Sequence, residues 1–227
     1  FCLIVIPSFL NFYKVSLLYS SSILEKKNQL QNIDYELKDI KIDITEPTDL
    51  SVIFYIGEAT SRLHWSLYNY FRPTNLSLEK FYHENPFIVY DNIYSTHTHT
   101  SPSWLDALTI KKSNENNKAI RISSDYSRYT ITDILNNIYI NTSLYSTQAK
   151  SGSWNFASSL IFKNANKLLY SSKYNLGNAN YINEEKPFDH EFLNIFLRDI
   201  SNDINKDNKK NNFYVFHSYA GHGDYEK

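Results

Sequence analysis

Short apolar runs that alternate with helical patterns are the feature of this chain that most restricts its fold. Residues 52–56 and 213–217 are apolar runs of strand length, each next to a polar turn or charged loop. Such runs are typical of strands that are covered on both faces, as in a parallel sheet. Apolar residues at helical spacing occupy 102–110, 132–139 and 188–204. This alternation predicts an α/β fold, with helical layers on both sides of a largely parallel sheet.

The rest of the sequence predicts further elements of the same two kinds. We expect strands at 87–94 and 141–147. We expect helices near 60–68, 76–82 and 156–169. A length of 227 residues is enough for one α/β domain with a sizeable core.

The composition of the chain excludes some classes of partner and cross-link. A net charge of −1 gives no electrostatic indication of nucleic-acid binding, so we expect no such partner. Cys2 is the only cysteine, which excludes an intrachain disulfide.

Because the chain has no Met, begins at Phe1 and ends at Lys227, we expect it to be a fragment. Residues 1–10 are apolar but fewer than the ~20 that span a bilayer. They suit a buried element of the domain or the end of a transmembrane helix.

Polar segments follow three of the predicted strands. Glu58 follows the first strand, residues 96–100 follow the strand at 87–94, and residues 217–224 follow the last one. Ligands of parallel α/β sheets bind beyond the carboxyl ends of the strands. We therefore expect these segments to share one edge of the sheet.

Glu58 and Thr100 are the residues with the clearest possible chemistry. Taken singly, a carboxylate after a strand is usually a cap or surface charge, and Thr-Ser-Pro usually only starts a helix. However, a hydroxyl at a helix N-terminus lies where a phosphate or sulfate binds well. A metal held by Glu58 and Thr100 would activate that hydroxyl as a nucleophile. The pair thus predicts a metal-dependent phosphoryl-type transferase.

Three histidines and one aspartate have alternative interpretations. His97 and His99 share a face in an extended chain, so they are exposed turn residues or contacts to an anion or second metal. His222 lies between glycines that would let the backbone approach a ligand. Asp189 precedes a helical pattern, and we predict that it is a helix cap.

Four segments, in order, resemble those of one family. Residues 56–74 read Ile-Gly-Glu-Ala-Thr-Ser-Arg-Leu-His-Trp-Ser-Leu-Tyr-Asn-Tyr-Phe-Arg-Pro-Thr. This is similar to the opening motif of phosphoethanolamine transferases of the alkaline-phosphatase/sulfatase superfamily. Residues 97–102 resemble the nucleophile segment of the branch that acts on lipopolysaccharide core. Residues 146–161 resemble the family's Ser-Asn-Gln stretch and the helix that follows it. Residues 213–225 resemble the family's strand that ends in His-x-x-Gly-x-His-Gly. Together the matches cover about residues 51–227.

The resemblance implies an architecture and a location. The fold would be an alkaline-phosphatase-like α/β/α sandwich with a largely parallel central sheet, truncated at the C-terminus. Residues 50–227 would be the N-terminal part of the catalytic domain. Residues 1–12 would be the end of a transmembrane helix and 13–49 a juxtamembrane linker. The protein would lie in a bacterial inner membrane, with its catalytic domain in the periplasm.

The resemblance also implies a reaction and roles for four residues. Glu58 would be a zinc ligand, and Thr100 both a zinc ligand and the nucleophile. His222 would lie near the transferred phosphate or a second zinc, and Gln148 would contact substrate. The enzyme would move phosphoethanolamine from phosphatidylethanolamine to lipopolysaccharide, on lipid A or core, through a covalent threonine intermediate.

Departures from the family pattern leave alternatives open. Asn69 replaces a usual Gly, and Pro73 and Asn75 alter the Arg-x-Thr-Thr-Pro run. The family's other zinc ligands come from an Asp-His-Gly motif further along, so we expect the isolated fragment to be inactive. A sulfatase is disfavoured by Thr100 and by Trp104 at the usual Arg position. The alternatives are a phosphoglycerol transferase, another hydrolase of the superfamily, and a non-catalytic relic that binds a glycan or lipid.

Overall fold

A computed structural model describes six parts of the chain. They are residues 50–111, 128–150, 156–171, 180–181, 189–205 and 211–220. The strands are β1 (Ser51–Ile56), β2 (Thr109–Lys111), β3 (Arg128–Thr130), β4 (Asn141–Ser146), β5 (Lys167–Tyr170), β6 (Asn180–Tyr181) and β7 (Asn212–His217). The α-helices are α1 (Leu76–Glu84), α2 (Thr100–Leu108), α3 (Ile131–Asn137), α4 (Phe156–Ile161) and α5 (Asp189–Ile204).

The chain divides into two compact units. One comprises Phe1–Lys41 and Ile110–Tyr129, and the other Ile42–Thr109 and Thr130–Lys227. The described residues of the first unit belong to β2 and β3, which pair as a two-stranded sheet. The main sheet and the candidate site belong to the second unit.

The main sheet has the parallel arrangement that the sequence predicts. Its five strands lie in the order β1-β7-β4-β5-β6, and every neighbouring pair is parallel. β7, the last strand in the chain, therefore lies between β1 and β4. The register places His217 opposite both Ile56 and Ser146. The carboxyl ends of these three strands thus meet at one edge.

Helix α5 covers one face of the sheet. Phe192, Phe196 and Ile200 recur every four residues, are buried, and share a core cluster with residues of the sheet. The ring of Phe196 lies 5.0 Å from that of Tyr145 and 5.2 Å from that of Phe216. The predicted helix over 188–204 is therefore confirmed, and its apolar stripe explains which side it buries.

Helix α2 and the residue that follows α4, Phe162, lie on the opposite face. Side chains alternate across a strand, so His217 faces away from the side that Phe216 occupies. On that side the ring of Trp104 lies 4.5 Å from His217 and 6.0 Å from Phe162. The predicted α/β/α sandwich is confirmed. Nothing among the described helices is both long and apolar enough to cross a membrane, and the predictions for residues 1–12 and 13–49 lie outside the described parts.

Strand β1 corrects one expectation about burial. Four of its apolar side chains are 39% to 57% exposed, namely Val52, Ile53, Phe54 and Tyr55. Within the described residues β1 is an edge strand, paired on one side with β7. An apolar run shows that a strand can be buried, but it does not show whether another element covers the strand.

The predicted strand at 87–94 is wrong. These residues form no strand, although they run between regular elements. Phe87 instead packs against α1, with its ring 5.7 Å from Phe81 and 5.9 Å from Tyr82. Apolar residues with strand-like composition become a strand only when a neighbour supplies hydrogen bonds.

Two predicted helices are also corrected. The pattern at 156–169 is divided between α4 and β5. Between them, the Asn166 side chain accepts a bond from the Thr142 backbone N–H of β4 at 2.7 Å. The segment at 60–68 forms two short 3-10 turns, Arg62–His64 and Ser66–Tyr68. The predicted helix at 102–110 is present, but it begins at Thr100 and ends at Leu108.

Candidate active site

Glu58 lies just beyond the end of β1, where the chain turns sharply. Ala59 has a φ of 46°, in the left-handed region that most residues avoid. The Thr60 hydroxyl donates to the Glu58 carbonyl oxygen at 3.1 Å and closes this turn. The turn therefore keeps the Glu58 carboxylate at the carboxyl edge of the sheet.

Thr100 is the first residue of α2, and its hydroxyl is directed at Glu58. Thr100 Oγ1 donates to Glu58 Oε1 at 2.9 Å. The preceding residue, His99, makes no side-chain cap bond to the helix. The hydroxyl therefore lies at the positive end of the helix dipole, beside a carboxylate that is 42 positions away in the sequence. The two residues that the sequence singled out are in direct contact.

Gln148 and His217 surround the other oxygen of the same carboxylate. Gln148 Nε2 donates to Glu58 Oε2 at 2.9 Å and lies 3.1 Å from His217 Nε2. His217 Nε2 is 3.5 Å from Glu58 Oε2. Gln148 and His217 are 7% and 3% exposed, so these contacts are shielded from water.

The imidazole of His217 is held from two further sides. Its Nδ1 lies 3.0 Å from Ser146 Oγ, which also accepts from the Gln148 backbone N–H at 3.2 Å. The Trp104 ring packs against the imidazole edge to face. No role was predicted for His217, and its contact with Glu58 follows from the register of β1 and β7.

These contacts keep Glu58 ionised. Burial on its own raises the pKa of the carboxyl, but hydrogen bonds from His217, Gln148 and Thr100 outweigh it and lower the pKa to about 2. At neutral pH the group is an anion with a fixed orientation. Such a carboxylate is better suited to binding a cation than to acting as a general base, because a general base needs a pKa near the working pH.

Asp189 holds the segment that follows β7. Its carboxylate accepts from the backbone N–H groups of Tyr219 and Ala220, at 3.1 and 2.8 Å, and from the Ser218 hydroxyl. Burial raises its pKa, but these bonds and one from Thr147 lower it overall. These bonds join the start of α5 to the segment after β7, and the role of Asp189 as a helix cap stays a prediction. His222 lies outside the described residues.

His97 has a definite partner in α2. Its Nε2 lies 3.0 Å from Asp106 Oδ2, and its carbonyl accepts from the Ser95 hydroxyl at 2.7 Å. The His99 ring nitrogen Nδ1 lies 3.0 Å from Thr98 Oγ1. In the parts of the chain that the structure describes, no three His, Cys, Asp or Glu side chains cluster as a metal site.

Comparisons with known proteins show the family and the fold of this chain. Residues 51–227 match the sulfatase family. Two crystal structures of the C-terminal periplasmic domain of EcEptC from Escherichia coli, one of them a complex with Zn, are similar to this chain, at 18% and 16% identity with TM-scores of 0.55 and 0.54. Each match covers 76% of this chain and 45% of the other, so the chain spans less than half of their length. No curated protein matches. Because the family match extends over most of its length, the chain belongs to the sulfatase family.

Proposed function

We propose that this domain transfers phosphoethanolamine from phosphatidylethanolamine to lipopolysaccharide, on lipid A or core, with Thr100 as the nucleophile. The observation that carries the proposal is the 2.9 Å contact between Thr100 Oγ1 and Glu58 Oε1 at the start of α2. Membership of the sulfatase family supports phosphate- or sulfate-ester chemistry. The resemblance of residues 56–74 and 97–102 to phosphoethanolamine transferases supports the choice of group.

The residues present fit a divalent cation, for which we propose zinc. An ionised carboxylate and a hydroxyl converge at this point, and zinc binds oxygen as well as nitrogen and sulfur. Glu58 and Thr100 would hold it, with further ligands from residues outside the described parts. A bound zinc supplies positive charge that stabilises developing negative charge on oxygen. The Zn complex of the EcEptC domain supports this choice of metal.

The chain's own groups would perform the transfer in two displacements. Thr100 Oγ attacks phosphorus, the bond from phosphorus to the diacylglycerol oxygen breaks, and diacylglycerol leaves with the proton that Thr100 loses. The acceptor then attacks the phosphothreonine ester, gives up its own proton, and restores the Thr100 hydroxyl. The positive end of α2 favours the anionic phosphate throughout. The carboxylate of Glu58 orients the Thr100 hydroxyl. Because its pKa is about 2, it does not retain the proton that Thr100 loses.

The remaining assignments extend this proposal. Residues 1–12 would end a transmembrane anchor and 13–49 would link it to a catalytic domain in the periplasm. His222 would lie near the transferred phosphate. Gln148 would contact substrate beside Glu58, to which its amide donates at 2.9 Å. The periplasmic origin of the similar EcEptC domain supports the location.

Labelled donors test the proposal in the full-length protein. Phosphatidylethanolamine labelled in its ethanolamine and phosphatidylglycerol labelled in its headgroup glycerol are offered with lipopolysaccharide. We expect the ethanolamine label to move, Thr100→Ala to abolish transfer, and Glu58→Gln to lower both zinc content and rate. Thr100→Ser, which keeps a hydroxyl, is the control and should retain measurable transfer. Transfer of glycerol phosphate, or full activity of Thr100→Ala, would contradict the proposal.

A further inference from the structure

An open cleft of about 360 Å³ is lined by residues that follow Glu58 in the chain and by residues that precede Thr100. Residues 60–68 form one wall and residues 87–93 the other. Most of the lining is apolar or aromatic, including Trp65, Leu67 and Ile88. Its volume is within the range of about 300–1,000 Å³ that is usual for small-molecule sites.

The walls of the cleft are the segments next to the two central residues of the site. Thr60 lines the cleft, and its hydroxyl donates to the Glu58 carbonyl oxygen at 3.1 Å. The other wall continues along the chain into the loop before Thr100. The Tyr68 hydroxyl donates to the Tyr90 carbonyl oxygen at 3.2 Å and so joins the walls. A molecule in this cleft would be held by the segments that present Glu58 and Thr100.

The chemistry of the cleft favours an apolar chain attached to an anion. Ile88 and Ile93 are 74% and 65% exposed although large and apolar, so there is surface to be covered. Arg62 is the cation of the lining, and no acidic side chain lines the cleft among the described residues. Arg62 lies over the Tyr94 ring at 5.4 Å. Among the described residues, no carboxylate forms an ion pair with its guanidinium. An Arg in this situation pairs well with a phosphate.

We propose that the cleft binds a hydrocarbon tail of the glycerophospholipid donor, with Arg62 attracting the anionic part of the lipid. This rests on the proposed function, because it assumes a lipid donor at the Thr100 site. It assigns a role to the part of the motif after Glu58 that the transfer steps leave unused. It also makes the donor's tail a determinant of KM, while the phosphate at Thr100 determines kcat.

Two matched substitutions test the cleft by transfer kinetics. Ile88→Asp places a carboxylate inside the cleft, and Leu63→Asp places the same charge outside it, at a side chain that is 73% exposed. Both positions are exposed, so neither change disturbs a core. Each full-length variant is assayed with a diacyl donor and with its deacylated headgroup, glycerophosphoethanolamine.

We expect Ile88→Asp to raise KM for the diacyl donor about tenfold, the effect of losing the burial of one large apolar contact. It should leave kcat, and the use of the deacylated donor, within about twofold, which is the scatter expected of a surface change. Leu63→Asp should leave both donors at wild-type values. Equal losses for the two variants would indicate contact with a membrane or protein surface and overturn the cleft. Equal losses for the two donors would indicate a structural effect and also overturn it.

A binding measurement separates this inference from the proposed reaction. Trp65 lines the cleft, so vesicles of phosphatidylethanolamine with brominated acyl chains should quench its fluorescence. The signal of Trp65 is the difference between the protein and its Trp65→Phe variant. We expect quenching in the wild type and in Leu63→Asp, and its loss in Ile88→Asp, whether or not any group is transferred. Quenching that is the same in Ile88→Asp and the wild type would refute the assignment of the cleft.

Discussion

Replacing Gln148 by Ala tests whether this residue orients Glu58. The change removes the 2.9 Å bond from Gln148 Nε2 to Glu58 Oε2 and the 3.1 Å contact with His217 Nε2. A hydrogen bond to a charged group stabilises the folded state by about 1.5–3 kcal/mol. We therefore expect the free energy of unfolding to fall by that amount at pH 7, because Gln148 is 7% exposed and water cannot fully replace it.

The loss should depend on pH with a definite sign. The pKa of Glu58 is lowered from 4.5 to about 2, so its ionised form stabilises the fold above pH 4.5 and this contribution is lost as pH falls towards 2. Removing Gln148 removes one cause of the lowered pKa. The difference in unfolding free energy between wild type and Gln148→Ala should therefore be largest at neutral pH and decrease below pH 4.5.

Urea unfolding of both proteins between pH 7 and pH 3 measures this difference. Asn166→Ala is the matched control, since Asn166 accepts at 2.7 Å from the Thr142 backbone N–H, a neutral donor. Its cost should not vary with pH. If the cost of Gln148→Ala is equally constant, the bond to Glu58 is not what holds Gln148, and the reasoning fails.

Three further substitutions test the packing of α5 and the loop beyond β7. Phe196→Ala should cost about 3–5 kcal/mol in urea unfolding, because Phe196 is 2% exposed in the core cluster. Leu197→Ala next to it, at 48% exposure, should cost about 0.5 kcal/mol or less, and similar costs would contradict the orientation of α5. Asp189→Asn should cost about 1.5–3 kcal/mol through weaker bonds to Tyr219 and Ala220. A cost that does not shrink in acid, where Asp189 protonates, would contradict that interpretation.

Periodicity and strand order made much of the fold predictable. Helix α5 follows from Phe192, Phe196 and Ile200, whose spacing matches one helical face. The sequence predicts that Glu58 and Thr100 converge because each follows a parallel strand, and the carboxyl ends of such strands share an edge. The contact is present, but only Glu58 follows a strand; Thr100 begins α2, and no strand precedes it at 87–94.

The sequence could not show which segments lie next to each other in the folded chain. The segment at 87–94 has strand composition but no pairing strand, and composition carries no information about pairing. His217 contacts Glu58 because β7 lies between β1 and β4, and register over such distances is not written in local sequence. The contacts of Gln148 and Asp189 depend on the same long-range placement.

The insertion of β7 between β1 and β4 also has a consequence during synthesis. Ile56 pairs with His217, about 160 residues later in the chain. At roughly 5–20 residues per second, a ribosome needs on the order of ten seconds or more to make that length. Throughout this time β1 lacks the strand that pairs with it in the finished sheet, and the side chains around Glu58 cannot assemble. An apolar strand that is unpaired for this long presents an exposed edge, which favours aggregation of the emerging chain.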